Sequence, residues 1–425
     1  MKAKADNAAQ RILNGEISHP EWILGLPDCQ LVPMNSESAY LVCRGIVGNV
    51  TAIKTSDGLV VVDSGTSQAA PRIVEELRKW SPDRIHSIVI THGHWDHLAG
   101  VPTMDREAES KGNKKPHVIS HANVIPRVER YVLTAGHNTV INKKQFPNAK
   151  LKWPPEHRLP DETYQGETKF TVGERKFELF HGYGETDDHT WVWIDDLKTV
   201  VTGDFFIWSG PNVGNPQKVQ RYAKGWEMNL RRIMTLNPEV LVPGHGPAIY
   251  GESQIQTVLA DTVEYLEVIH DNTLEMMNRG ERLDHILHSV KIPAHLQGKP
   301  YLAPTYDHPE FVIRNIWRLY GGWYDGNPAH LMPAPEAELA KELADLAGGV
   351  EKLAKRAEAL AKKNNLRLAG HLAEFAVQAA PENTTAHKAR EKVFHLRAEQ
   401  ERSLMARNIF STTAQESASK SKKKP

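Results

Sequence analysis

Cysteine is nearly absent from this chain, with only Cys29 and Cys43 among 425 residues. Two are too few for a disulfide framework, so they read as packed, reduced thiols of an intracellular protein. Charge of one sign is also lacking, because 52 Lys and Arg residues balance 52 Asp and Glu residues. No global field draws the chain to nucleic acid or to a membrane surface, and electrostatic recognition has to be local. Long hydrophobic runs are missing as well. The first residues, Met1-Lys-Ala-Lys-Ala-Asp-Asn7, lack the apolar stretch of a secretory signal, and no later run has the length to span a bilayer. The expectation is a cytoplasmic protein without membrane or nucleic-acid partners. The Ser/Lys-rich end around Lys420 reads as a disordered, solubilising tail.

What is present is ordinary globular material, 40% hydrophobic and 24% charged, in a chain too long for one compact core. One large domain and a smaller one are expected. From about Ser38 the sequence alternates β-rich runs with turns: Ala39 to Cys43, Asn49 to Lys54, Leu59 to Asp63 and Ile88 to Ile90, with an amphipathic helix over Ala69 to Trp80. A second set follows at Phe170 to Thr171, Lys176 to Phe180, Thr190 to Ile194 and Thr199 to Thr202. A helix over Trp226 to Leu236 and a strand over Val240 to Val242 close it. Such a mixture predicts packed sheets covered by helices. After about Gly251 helical periodicity takes over, ending in a hairpin of Gly370 to Ala380 and Ala386 to Arg402 around a Pro381-Glu-Asn383 turn.

Histidine is generous at 21 copies, and its clusters carry the chemistry. Thr91-His-Gly-His-Trp-Asp-His97 follows directly on the apolar strand Ile88-Val-Ile90. His92 and His94 project to one side of an extended segment and can grip one cation, while Asp96 and His97 in the turn beyond can reach a second. Two imidazoles leave a zinc shell incomplete, so further ligands come from distant strand ends. Thr202-Gly-Asp204 and Pro243-Gly-His245-Gly each offer one. His181-Gly-Tyr-Gly-Glu185-Thr-Asp-Asp-His189 offers several at once.

Taken together, His92-x-His94-x-Asp96-His97, Asp63 closing an apolar strand, Asp204 in Thr-Gly-Asp and His245 in Pro-Gly-His-Gly resemble the metallo-β-lactamase superfamily over roughly residues 38 to 250. The resemblance implies an αβ/βα sandwich, with His92 and His94 on one metal, Asp96, His97 and His245 on the other, Asp204 bridging both, and Asp63 structural beside the site. Where that family usually has a Gly-His-Thr segment, this chain has Gly184-Glu185-Thr186. Alkylsulfatase-like members place a Glu there, which makes Glu185 the implied third ligand of the first metal and leaves His181 and His189 as alternatives. Tyr320-Gly-Gly-Trp-Tyr-Asp-Gly-Asn-Pro-Ala329 is similar to the signature of the alkylsulfatase dimerisation domain. The sterol-carrier-like third domain of long alkylsulfatases finds no room in this chain.

The expected class is therefore α+β, a metallo-β-lactamase sandwich followed by an all-α dimerisation domain. Its expected parts are a catalytic domain over 1–265, a helical domain over 266–414 and a disordered basic tail over 415–425. The expected function is a dinuclear metallo-hydrolase with two Zn2+ ions, iron and manganese being compatible. Ions about 3.5 to 4 Å apart bring a bridging water to hydroxide near neutral pH. Asp96 orients it and Asp204 completes the catalytic pair. The expected substrate is a small sulfate or related anionic ester, met by Asn212, Asn215 and Arg221, and the protein acts as a homodimer. The resemblance is looser at this point. The family's His-Asn pair is Pro211-Asn212 here, and Asp204 stands where alkylsulfatases use a Glu. Hydrolysis of a carbon ester, lactone, thioester or β-lactam is the second reading, and a non-catalytic metal-binding protein the third. The poorly patterned stretch from about Asn138 to Thr168 is expected at the substrate entrance.

Overall fold

Leu59-Val-Val-Val62 is apolar at every position, as a strand buried on both faces must be. It becomes the middle of a seven-stranded sheet. The computed structural model of the chain describes residues 2–45, 47–146 and 153–422. In the first sheet the strands run in sequence order: β1 (Cys29–Pro33), β2 (Ser38–Cys43), β3 (Val50–Thr55), β4 (Gly58–Val62), β5 (Ile85–Ile90), β6 (His117–His121) and β7 (Glu162–Tyr164). Pairing is antiparallel from β1 to β4 and parallel from β4 to β7. The second sheet contains β8 (Glu167–Val172), β9 (Arg175–Gly182), β10 (His189–Ile194), β11 (Thr199–Gly203), β12 (Val240–Pro243) and β13 (Ile249–Tyr250) in the order β13-β12-β11-β10-β9-β8. Only β11 and β12 are parallel neighbours there.

Side-chain alternation along each strand builds three apolar layers. Tyr40, Val42, Ile53, Val60, Val62 and Val89 meet Phe177, Leu179, Val192, Ile194 and Val201 between the sheets. Their neighbours Leu41, Val61, Ile88 and Ile90 point the other way, against the helices Ala70–Trp80 and Val101–Ser110. The first of these helices buries Ala70, Ile73, Val74 and Leu77, an i, i+3, i+4, i+7 stripe. Trp191, Trp193 and Leu241 on the outer face of the second sheet pack on the helices Ala223–Met234 and Glu252–Asn278. The order helix, sheet, sheet, helix is the expected αβ/βα sandwich. An all-helical region follows, in which Leu366–Ala379 and Thr384–Gln400 form the expected hairpin with Asn383 capping the second helix.

The structure revises the cysteine and tail expectations and adds detail at two other places. Cys29 and Cys43 form a disulfide, because the β1–β2 register sets them directly opposite each other with Cα atoms 4.0 Å apart. The reading as reduced thiols is thus overturned, and with it one of the two grounds for a cytoplasmic location. Residues 415–421 are not disordered but continue the helix Leu404–Ser421. Its small residues Ala414 and Ser417 are buried against the helix Thr384–Gln400, where Arg390 donates to the Ser417 hydroxyl at 3.0 Å. The helix Glu252–Asn278 runs straight through the boundary expected at 265/266. Residues 138–145, read as poorly patterned, belong to the helix Ala135–Gln145; residues 147–152 of that stretch lie outside the described residues. No helix among the described residues is long and apolar enough to cross a membrane.

Candidate metal centre

Strand ends of both sheets meet at one edge of the sandwich, and the chemistry-bearing residues sit in the turns beyond them. Asp63 follows β4, His92 and His94 follow β5, and Asp96 and His97 lie on the short helix Trp95–Leu98. From the second sheet come Glu185 in the β9–β10 turn, Asp204 after β11 and His245 after β12. This is the carboxyl-end crevice where open α/β sheets place ligands.

The side chains gather into two sets. His92, His94, Glu185 and Asp204 bring one ligand atom each to within 4.8 Å of one another, and so do Asp96, His97 and His245. Glu185 Oε2 lies 3.4 Å from His92 Nε2 and 3.2 Å from His94 Nδ1. Asp204 stands between the sets: Oδ2 is 3.9 Å from His92 Nε2, while Oδ1 is 3.3 Å from His97 Nε2 and 3.5 Å from His245 Nε2. Asp96 Oδ2 completes the second set, 3.4 Å from His245 Nε2 and 3.6 Å from His97 Nε2. Buried His97 Nε2, Glu185 Oε2 and Asp204 Oδ1 have no hydrogen-bond partner among the described residues. Unpaired buried polar atoms are costly, and their convergence fits two divalent cations held by nitrogen and oxygen donors. Of the two alternatives, His181 donates to the His189 carbonyl at 3.0 Å and stacks on His121. His189 is buried beneath His92, its ring centroid 4.6 Å away. Neither joins a ligand set.

Each ligand is held from behind. Asp63 accepts from the Thr91 amide at 2.7 Å, the Thr91 hydroxyl at 2.8 Å and His97 Nδ1 at 2.7 Å, which turns His97 Nε2 toward the site. Arg221 donates to Glu185 Oε1 at 2.7 Å and Asn212 donates to the same atom at 2.5 Å. Asn212 and Arg221 are expected substrate contacts; in the structure both direct a donor at the Glu185 carboxylate, and Arg221 is buried. Asn215 accepts from Gln145 Nε2 and from the Gln217 amide, each at 3.0 Å. In Pro243-Gly-His-Gly246 the first glycine has a specific cause, since a Cβ at Gly244 would lie 2.0 Å from Asp204 Oδ1. Sequence reasoning missed Arg127 and Asp188. The Gly93 amide donates to Asp188 Oδ2 at 2.8 Å, Arg127 Nε lies 3.0 Å from the same oxygen, and Arg127 also pairs with Asp187. Arg127 shares the apolar face of its helix with Val124, Val128 and Tyr131, and a charge on that stripe was the available signal.

The two sets differ in charge when metal-free. Burial pushes the His94 imidazolium down to about 4, despite the nearby Glu185 carboxylate. Burial opposes charge on His97 too, but Asp204, Asp63 and Asp96 outweigh it and raise that imidazole well above its ordinary value. His245 is raised in the same way, burial being overcome by Asp204 and Asp96. Burial would raise Glu185, yet His94 and Arg221 hold it well below the carboxylate range. Asp204 is likewise lowered against burial by His245 and His97. His94, Glu185 and Asp204 are thus ready to ligate, whereas His97 and His245 hold protons that a cation must displace.

Two outcomes follow. Because His97 and His245 titrate above their ordinary 6.5 in the folded metal-free chain, zinc binding near pH 7 releases about one proton or more per chain. Calorimetry in buffers of different ionisation enthalpy measures this, and a binding enthalpy independent of buffer contradicts it. Arg127→Ala leaves Asp188 buried without its cation and costs about 3–5 kcal/mol in denaturant unfolding. A loss under about 1 kcal/mol would show that water replaces the guanidinium.

Comparison with known proteins agrees with this geometry. Residues 43–245 match the metallo-beta-lactamase superfamily and residues 282–420 match the alkyl sulfatase dimerisation family. A linear primary-alkylsulfatase of Pseudomonas sp. (strain ATCC 19151) is 27% identical over 77% of this chain and 66% of its own length. An (R)-specific secondary-alkylsulfatase of Pseudomonas sp. is 26% identical over 87% of this chain and 59% of its own. An alkyl/aryl-sulfatase of Saccharomyces cerevisiae is 22% identical over 84% and 58%. The chain therefore spans 58 to 66% of the length of these relatives. The solved structure of the stereoselective inverting sec-alkylsulfatase Pisa1 from Pseudomonas sp. shares the fold, with a TM-score of 0.82 at 24% identity over 92% of this chain and 65% of that one. The chain carries a metallo-β-lactamase domain followed by an alkylsulfatase dimerisation domain and is homologous to the alkylsulfatases.

Proposed function

We propose that the chain is a dinuclear zinc hydrolase of sulfate esters, acting as a homodimer on a small alkyl sulfate. The observation that carries this reading is the position of Asp204, whose two oxygens face two separate ligand sets in a molecule related to alkylsulfatases along both of its parts. When bound, the two cations would make a water nucleophilic near neutral pH and stabilise charge on the departing oxygen. The chain's own residues do the rest. His92, His94 and Glu185 would hold the first cation and Asp96, His97 and His245 the second, with one oxygen of Asp204 facing each set.

Asp96 is the most open carboxylate of the two sets, with 24% of its side chain exposed against 5% or less for Glu185 and Asp204. It is placed to accept a hydrogen bond from the attacking water and to orient it. Since Arg221 and Asn212 are engaged by Glu185, positive charge for the sulfate oxygens falls to Lys218. Asn142 holds that ammonium at 2.9 Å, and it feels Glu185 and Asp96 while burial and Arg221 push it down to about 8. Dimerisation is supported by Trp323, Leu331, Met332 and Leu346, large apolar side chains at least half exposed in the region matched by the dimerisation family.

The metal-loaded protein is expected to release inorganic sulfate from alkyl sulfates. His94→Ala is expected to remove detectable turnover while sedimentation still reports a dimer. A panel of carbon esters, lactones, thioesters and β-lactams run beside the sulfates separates the classes. Turnover confined to that panel moves the activity to carbon-centred substrates. No turnover on any class by protein holding two cations per chain sinks the hydrolase reading.

A further inference from the structure

The short segment Val47-Gly48-Asn49, which leads into β3, lies between the two loops that supply the second ligand set. The Gly48 amide donates to the Asp96 carbonyl at 3.2 Å. A Cβ at Gly48 would stand 2.6 Å from His97 Cε1 and 2.8 Å from the Asp96 carbonyl, so only glycine lets the backbone pass this close. One residue on, the Asn49 amide donates to the Gly244 carbonyl at 2.7 Å. Its side-chain Nδ2 donates to two more carbonyls of the same loop, Pro243 at 2.9 Å and Gly246 at 2.8 Å. Three hydrogen bonds from one residue thus bracket His245 on both sides. Asn49 is 4% exposed, so water does not compete for them.

We propose that Asn49 is the positioning residue of the second cation position, fixing the His245 loop of one sheet against the Asp96–His97 turn of the other. The inference rests on the two-cation reading above. His245 arrives from the far sheet, 148 residues beyond His97, and β12, from which its loop springs, sits second from the edge of its sheet. Nothing in the strand pairing alone sets its distance to Asp96; the Gly48 amide on the Asp96 carbonyl and the Asn49 hydrogen bonds to the His245 loop together supply that link. No hydrogen bond joins Asn49 to His92, His94 or Glu185 among the described residues, so its effect is confined to the second position. Partners that orient ligands in this way are worth about 10–100-fold in metal affinity.

The test is a zinc titration of metal-stripped protein against a competing chromophoric chelator, comparing wild type, Asn49→Ala, His245→Ala and the double variant. Wild type is expected to bind two ions and His245→Ala one. Asn49→Ala is expected to keep one ion at wild-type affinity and to bind the other about 10–100-fold more weakly, with no further loss of the retained ion in the double variant. Asn49→Ser, which keeps one donor, is expected to fall between. If wild type binds fewer than two ions, or His245→Ala still binds two, the two-cation reading itself fails. If those controls behave and Asn49→Ala binds both ions as wild type does, or weakens both alike, the positioning role is overturned and the reading stands. Failure of both the alanine and the serine variants to fold also overturns it, since Asn49 would then determine the fold rather than one site.

Discussion

A carboxylate carried by one sheet, Asp204, is held between imidazoles carried mostly by the other, and the functional part of the molecule is arranged around that contact. In the metal-free chain the charge on Asp204 is balanced by His97 and His245, both raised above their ordinary values by their acidic neighbours in spite of burial. Divalent cations would take over that balance. The geometry needs the ends of β5, β11 and β12 within a few ångströms of one another, and the apolar layer between the sheets maintains it. Val62, Val89, Val201 and Val242 share that layer, one to three residues before Asp63, His92, Asp204 and His245.

Around this centre each ligand has its own support, and the supports differ in kind. His97 leans on a carboxylate, Asp63. Glu185 leans on a guanidinium and an amide, Arg221 and Asn212, which leave its other oxygen free to face the histidines. The glycine between His92 and His94 is tied by its amide to Asp188, whose charge Arg127 neutralises. None of these partners is optional on energetic grounds. Each buries a charge or strong dipole that would otherwise cost several kcal/mol, and removing one member of a buried pair leaves the other uncompensated.

Much of this was legible in the sequence where the signal is local. His92, His94, Asp96 and His97 fall within six residues at the end of an apolar strand, and the β-rich runs mark most of the strands that carry the other ligands. Selecting Glu185 over His181 and His189 needed family resemblance, because composition favours imidazole. The structure supplies the physical reason: His181 donates to the His189 carbonyl and stacks on His121 of β6, and His189 starts β10 beneath His92. What stayed illegible depends on partners distant in sequence. Arg221 was expected to meet the substrate anion, and its pairing with Glu185 was not visible because Glu185 lies 36 positions earlier in sequence though adjacent in space. The Cys29–Cys43 bond follows from the β1–β2 register, and β1 was not recognised as a strand. The ordering of residues 415–421 depends on a packing partner in the helix Thr384–Gln400 that polar composition does not reveal.

The central claim is that two cations share Asp204, and anomalous diffraction at the zinc edge from crystals of the metal-loaded protein tests it most directly. The account predicts two peaks per chain, one within about 2.0–2.3 Å of His92, His94 and Glu185 and the other equally close to Asp96, His97 and His245, with Asp204 reaching both. A single peak, or peaks bound elsewhere while these seven side chains keep their places, would contradict it.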